Sequence, residues 1–178
     1  MYDGLDMKSP VYCSIMALLA CAGLQAQDAK AMLTYVKNNY AQVKTNLTRA
    51  ADKMSEADYS FKATPDVRTF GALIAHIADA QMRFCGTANG HQVQPPAGSK
   101  TAKADLVAAL KTSFDECDAA FDKLSESNYL EQVGEGKGAG PRFNQLLHTV
   151  VHDNEEYGYL AVYMRLKDVV PPSSDRRM

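Results

Sequence analysis

The stretch LLHTVVHDNEEYGYLAVYMRLKDVVPP, Leu146 to Pro172, decides how this chain folds. It ends at a double proline, where a helix cannot continue. His148, His152 and Glu156 follow one another at intervals of four residues, and residues four apart share one face of a helix. The stretch therefore predicts a long helix with a row of polar side chains. Such a row can share a metal ion, share a water molecule or form a buried hydrogen-bond network.

Three earlier segments show the same helical period. Apolar residues recur in alternating steps of three and four over residues 28–54, 67–88 and about 101–127. Such stripes are typical of helices that pack nearly antiparallel in a bundle. No segment has useful strand-like alternation, so we predict an all-α four-helix bundle. An up-down order of helices is the simplest connection, although the long loop after the first helix permits a less regular one.

The helix ends carry local signals. Ser99 or Thr101 is expected to cap the third helix, and Gly90 lies where the second helix should end. Pro141 fits the first turn of the fourth helix, where a missing N–H costs nothing. The bundle domain is predicted to span residues 27–172, with a disordered tail at 173–178.

The first 26 residues are interpreted as a secretory signal peptide. Lys8 precedes an apolar run from Val11 to Leu24, and Ala26 offers a small residue for cleavage before Gln27. The run is shorter than the roughly 20 residues of a membrane-spanning helix. We therefore expect an exported, periplasmic protein with no stable membrane span after signal removal. Two alternatives stay open: a lipoprotein anchor at Cys21, and an ordinary buried N-terminal helix.

Composition excludes some classes of partner. The chain has 178 residues, 46% of them hydrophobic and 22% charged, with a formal net charge of −2. This is ordinary for one globular domain with a sizeable core. No basic cluster is large enough to indicate nucleic-acid binding.

His76 is the other histidine next to a helical core stripe. With two residues of the fourth helix it would complete three protein ligands and leave one position open, as in catalytic rather than structural metal sites. Paired histidines in helices are also often satisfied core residues, so spacing alone leaves both readings open. Asp79 and Glu155 are candidates for orienting a ligand histidine, with exposed charges as the alternative. Tyr159 is interpreted as a packing residue, with a position facing the cavity as the alternative.

Two cysteines, Cys85 and Cys117, would remain in the mature chain. Cys85 near the end of the second helix is a candidate thiol beside the site, and Cys117 falls on a core stripe as a packed apolar residue. A disulfide between them is the alternative, since an exported compartment permits one.

Two segments resemble the DinB-like (damage-inducible) four-helix bundle family: RTFGALIAHIADAQMRFC, Arg68 to Cys85, and HTVVHDNEEYGYLAVYMRLKDVVPPSS, His148 to Ser174. The resemblance covers the whole mature chain. It implies a divalent ion, nickel or zinc, held by three histidines, thiol transfer to electrophiles in some relatives, and frequent homodimers.

Carried over residue by residue, the resemblance matches His76, His152 and position 156. This position holds Glu156 where such proteins typically have histidine, and Gly158 fixes the alignment. A glutamate can bind zinc, manganese or iron, and a two-histidine, one-carboxylate set would favour a harder ion, such as non-haem iron, over nickel. The alternatives are a site disabled by the substitution and a site that uses His148.

Two hypotheses on function follow. The first is an exported metal-dependent enzyme of hydrolase or thiol-transferase type, acting on a small molecule of unknown identity at a site between helices 2 and 4. The second is a non-catalytic bundle that binds a ligand or partner, with a degraded metal site and no cofactor.

Overall fold

The computed structural model describes residues 10–175, apart from the side chains of residues 10–27 and 137. Four helices dominate it: α1 Pro10–Lys53, α2 Phe70–Asn89, α3 Lys103–Lys123 and α4 Arg142–Leu166. Two short strands, β1 Gln132–Val133 and β2 Gly140–Pro141, pair antiparallel before α4. The all-α bundle predicted from the apolar period is thus confirmed.

The predicted stripes form the core. Each helix turns its apolar face inward, as expected for period-3.6 patterning. The most completely buried apolar side chains come from all four helices: Val43, Leu47, Phe70, Ile74, Ile77, Leu106, Leu146, Leu160 and Met164. Tyr40 of α1 stacks on Phe121 of α3 with ring centroids 3.9 Å apart.

Helices α2 and α3 are parallel neighbours. Gln81 pairs with Ser113, and one turn further on in both helices Cys85 pairs with Cys117. The residue numbers of the paired positions increase together along the two helices, so both helices must point the same way. The simple up-down order is therefore wrong for this pair.

The packing of α4 and α1 completes the bundle. Helix α4 runs antiparallel to α2, because His152 meets His76 while Arg142 reaches the Ala88 carbonyl further along α2. Helix α1 packs against α3 and α4 and lies diagonally opposite α2. The directions of the four helices are thus up, down, down and up.

A long connection makes this order possible. Residues 90–102 must return from the end of α2 to the level of its start, about 30 Å for a helix of 20 residues. Thirteen extended residues reach about 43 Å, which is enough. The Asp79 carboxylate accepts a hydrogen bond from the Ala97 backbone N–H at 2.8 Å and fastens the connection to the middle of α2.

Helix α2 ends at Gly90 as predicted, whereas the cap of α3 differs from the prediction. Thr69 caps α2 by accepting from the Ala72 N–H, and Gly90 closes it in the left-handed region at φ 86°. Helix α3 is preceded by Ala102, which makes no side-chain cap, so neither Ser99 nor Thr101 has that role. Capping residues in a polar loop offer several equivalent choices, and the path of the connection selects among them.

The two ends of the chain lie partly outside the described residues. The predicted signal peptide, residues 1–26, falls on residues whose structure or side chains are not described, and it stays a prediction. The described helix α1 begins at Pro10 and so extends before the expected start at residue 28. Beyond the double proline, Pro172–Ser174 form a 3-10 turn and Asp175 pairs with Lys53 at 3.0 Å, so residues 173–175 are ordered. Residues 176–178 lie outside the described part.

The described residues include no helix that combines the length and the apolar character needed to cross a membrane.

Candidate metal centre

Three ligand atoms converge between α2 and α4. The Nε2 atoms of His76 and His152 are 3.2 Å apart. Oε1 of Glu156 lies 3.6 Å from Nε2 of His76 and 3.9 Å from Nε2 of His152. The three residues offer ligand atoms that all lie within 4.8 Å of one another, and such a group could hold a metal ion.

These separations match a shared ion. Two nitrogens that each lie about 2.0–2.1 Å from one tetrahedral zinc are about 3.3 Å apart. The observed 3.2 Å between the two Nε2 atoms is close to that value, whereas the carboxylate oxygen is farther from the two nitrogens, at 3.6 and 3.9 Å. Small side-chain rotations would therefore bring all three atoms onto one centre.

Backbone geometry explains the convergence. His152 and Glu156 are four residues apart on α4 and share its inner face. His76 lies on the face of α2 that the antiparallel α4 covers. His148, one turn before His152, is exposed and its ring packs on Phe84 at 4.5 Å between centroids. His148 therefore does not join the cluster.

The Glu156 carboxylate is buried, and one of its two oxygens has no hydrogen-bond partner among the described residues. Glu156 is 6% exposed, and the oxygen without a partner is Oε2. Burial raises the pKa of Glu156, against the opposing effect of His152. A buried carboxylate is costly unless it is paired or coordinates a metal.

The surroundings of His76 favour the neutral form of its imidazole. Burial lowers its pKa below the ordinary 6.5, and the positive charge of Arg68 adds to the effect. A neutral imidazole is the form that binds metals. The donor set of two imidazole nitrogens and one carboxylate oxygen suits zinc, manganese or iron.

A buried polar network lies behind His152. Its Nδ1 atom is 3.5 Å from Oδ1 of Asp153, which is fully buried. Oδ2 of Asp153 accepts a hydrogen bond from Nε2 of Gln81 at 2.7 Å, and Oε1 of Gln81 accepts one from Ser113 at 2.6 Å. The network thus links α4, α2 and α3 beside the ligands.

This network was not predicted from the sequence. Of the two candidates for orienting a ligand, Asp79 holds the connection after α2, and the exposed Glu155 accepts a hydrogen bond from Tyr159. Asp153 adjoins the ligand His152 in the chain, which is the available signal, but adjacent helical residues do not normally face each other. Tyr159 is 48% exposed and not a core packing residue.

Cys85 is not a free thiol beside the site. It forms a disulfide with Cys117, with Cα atoms 4.9 Å apart. The expectation of a thiol at Cys85 is therefore wrong, and the alternative disulfide is present. Both cysteines are fully buried, so the expected core position of Cys117 is correct. The parallel pairing of α2 and α3 brings the two residues together.

Of the three candidate ligands, His76 lines two clefts beside the connection after α2. The larger, about 740 Å³, is lined by His76, Tyr59 and residues 98–102 among others. The smaller, about 250 Å³, runs from His76 past Asp79 to Arg83. His76 is 35% exposed at its side chain, so the centre is reachable from this side.

The fold and the cluster define the class: an all-α bundle with a candidate two-histidine, one-carboxylate centre between two antiparallel helices. The chain matches the family model of the DinB superfamily over residues 39–160. It belongs to the DinB superfamily. None of the curated proteins compared with the chain matches it.

Solved structures share the fold. A DinB-like protein from Bacillus cereus has 14% identity and a TM-score of 0.66, covering 77% of this chain and 93% of that one. One from Bacillus subtilis has 20% identity and a TM-score of 0.65, covering 81% and 99%. A histidine-to-alanine mutant of a mycothiol-dependent maleylpyruvate isomerase has 14% identity and a TM-score of 0.59, covering 72% and 60%. At these identities the likeness concerns the fold alone.

Proposed function

We propose that this protein is a divalent-metal-dependent enzyme whose ion is held by His76, His152 and Glu156. The observation that carries the proposal is the buried Glu156 carboxylate, whose Oε1 atom faces two imidazole nitrogens while its Oε2 atom has no hydrogen-bond partner among the described residues. Three protein ligands leave a coordination position for a substrate, as in catalytic centres. A closed structural site would have a fourth protein ligand.

The reaction class is hydrolysis or thiol transfer. When bound, the ion would act as a Lewis acid and lower the pKa of a water or a thiol at the open position. Glu156 and the two histidines fix the position of that reacting group. The clefts beside the connection after α2 offer room for a small-molecule substrate. One protein of this fold is, by its name, a mycothiol-dependent isomerase, which supports the thiol-transfer version.

The carboxylate ligand bears on the identity of the metal. Carboxylate oxygen is a harder donor than imidazole, so its presence favours zinc, manganese or iron over nickel. We propose one of these three as the physiological ion.

Metal analysis of protein purified without a histidine tag tests the proposal. We expect near-stoichiometric metal in the unmodified protein and its loss in His152→Ala. His91→Ala is the matched control, because His91 is exposed and pairs with Glu116 away from the cluster. Metal-free protein whose melting temperature is unchanged by zinc, nickel, manganese or iron would instead support a non-catalytic ligand-binding bundle.

We also propose export to the periplasm through a signal at residues 1–26. The order of a charge, an apolar run and a small residue supports this. The Cys85–Cys117 disulfide supports it independently, because disulfides persist mainly in oxidising compartments. Export would disfavour thiol transfer, since low-molecular-weight thiols are chiefly cytosolic. Mature protein from intact cells that begins before Gln27 would contradict the signal.

A homodimer is proposed through the outer face of α4. Apolar side chains project from this face into solvent at 38–60% exposure: Leu147, Val151, Tyr159, Val162 and Leu166. A row of this kind on one helix is unusual for a monomer surface. Light scattering should show a dimer that Val162→Glu dissociates, whereas Val67→Glu, at an exposed position off the helix, should leave it intact. A monomer at high concentration would argue against this interface.

A further inference from the structure

Asp153 contacts the back of a candidate ligand with an oxygen that has no other partner. Its Oδ1 atom lies 3.5 Å from Nδ1 of His152, and neither atom has a hydrogen-bond partner elsewhere in the described structure. Both atoms are buried, so water molecules do not readily form hydrogen bonds with them. A rotation of the imidazole that shortens this distance by about 0.5 Å would make a normal hydrogen bond.

The orientation of the Asp153 carboxylate is set from two other helices. The Ser113 hydroxyl on α3 lies within hydrogen-bond distance of both Oε1 of Gln81, at 2.6 Å, and the Leu110 carbonyl oxygen, at 2.8 Å, and the amide oxygen of Gln81 is the atom that faces it. The amide nitrogen of Gln81 then faces Asp153 and donates to Oδ2 at 2.7 Å. One carboxylate oxygen is thereby occupied, and the other is left for His152.

We propose that Asp153 is a positioning residue that keeps the proton of the His152 imidazole on Nδ1. A neutral imidazole has one N–H and one lone pair. With the N–H directed at Asp153, the lone pair on Nε2 points at His76 and Glu156, where a metal would bind. Metal-binding histidines commonly donate their other nitrogen to a carboxylate in this way. The proposed effect on metal affinity rests on the function proposed above. The proposed tautomer of His152 in the metal-free protein does not depend on that function.

The same assignment determines His76 in the metal-free protein. The two Nε2 atoms, 3.2 Å apart, need one proton between them to form a hydrogen bond. If His152 carries its proton on Nδ1, its Nε2 accepts, and His76 must donate from Nε2. The two rings are then opposite tautomers, and His76 has to move or lose this proton when a metal binds.

The substitution Asp153→Asn tests the role with little change of shape. An asparagine can still accept from Gln81 through its side-chain oxygen. Its NH₂ group would then face Nδ1 of His152 and donate to it, which forces the proton of the imidazole onto Nε2. The lone pair needed for metal binding would be lost at Nε2.

The tautomers are read by long-range 15N–1H NMR of the metal-free proteins, and metal affinity by competition with a chelator using zinc. We expect the unmodified protein to show His152 protonated on Nδ1 and Asp153→Asn to show it protonated on Nε2, with zinc affinity lower by about 10- to 100-fold. Glu155→Gln, on the neighbouring exposed position, should change neither.

Two results would overturn the inference. One is His152 protonated on Nε2 in the unmodified metal-free protein, a measurement that needs no variant to fold. The other is Asp153→Asn with unchanged tautomer and zinc affinity. If the unmodified protein binds no metal at all, the proposed function fails, while the tautomer still decides whether Asp153 positions His152.

Discussion

The Nε2 atoms of His76 on α2 and His152 on α4 lie 3.2 Å apart although 76 residues separate them in the chain. The contact exists because α4 runs antiparallel to α2 and presents the face that also carries Glu156. Any metal chemistry of this protein therefore depends on the packing of these two helices, and the tests below separate the contribution of the ligands from that of the bundle.

Replacing Glu156 by histidine should change metal preference rather than abolish binding. An imidazole at this position would make a three-nitrogen set, which suits nickel and zinc better than manganese. We expect the ratio of nickel to manganese affinity to rise by about tenfold or more in Glu156→His. Competition titrations measure it, and Glu155→His, one residue away on the exposed face, is the control. An unchanged ratio would mean that Glu156 is not a ligand.

Metal affinity should decrease as the solution is acidified. Protons compete with the metal for the ligands. Burial lowers the pKa of His76 below 6.5, so its imidazole can bind a metal at pH 7 and becomes protonated only in more acidic solution. Burial raises the pKa of Glu156 above 4.5, so its carboxylate is protonated at a higher pH than a free one. We expect affinity to fall between about pH 6.5 and 4.5.

Calorimetric titrations from pH 8 to 4.5 check this dependence. Glu156→Gln should bind more weakly and show a shallower decrease, because one of the competing protons is removed. A decrease of equal steepness in this variant would assign the acid sensitivity to the histidines alone.

The Cys85–Cys117 disulfide should contribute substantially to stability. The two cysteines are 32 residues apart, and closing a loop of this size is worth about 3–4 kcal/mol in the chain-entropy model. The Cys85→Ser/Cys117→Ser variant should lose that free energy of unfolding in urea titrations. Reductant should destabilise the unmodified protein to the same extent and leave the double variant unaffected. If reductant changes the stability of neither protein, the disulfide does not form in solution.

Gly86 allows the connection after α2 to pack closely on the helix. A Cβ atom at this position would lie 2.8 Å from Cγ2 of Val93. Gly86→Ala should therefore destabilise the protein by about 1–3 kcal/mol despite the better helix propensity of alanine. Thermal melts of Gly86→Ala, Val93→Ala and the double variant check the cause, since removing the valine methyl groups should relieve the contact. If the double variant is destabilised by the sum of the two single losses, the contact between Gly86 and Val93 is not the cause.

The sequence predicted the elements well and their connections poorly. The apolar period locates four helices because burial of one face is a local requirement of each helix. The up-down order was wrong for α2 and α3, because residues 90–102 carry no periodic signal. Their path back along the bundle is held by tertiary contacts such as the hydrogen bond from the Ala97 N–H to the Asp79 carboxylate. The disulfide between Cys85 and Cys117 likewise depends on the parallel packing of α2 and α3.

For the candidate site, the sequence by itself determined that His152 and Glu156 share a face of α4, because a spacing of four residues fixes this within any helix. The place of His76 beside a core stripe of the second helix made it a candidate third ligand, and the family resemblance matched the same residue. Tertiary structure alone decided that these three groups meet, that His148 is excluded, and that Asp153 is buried behind His152. Burial and contact between helices depend on how residues far apart in the chain pack together, and no local pattern in the stretch from Leu146 to Pro172 contains that information.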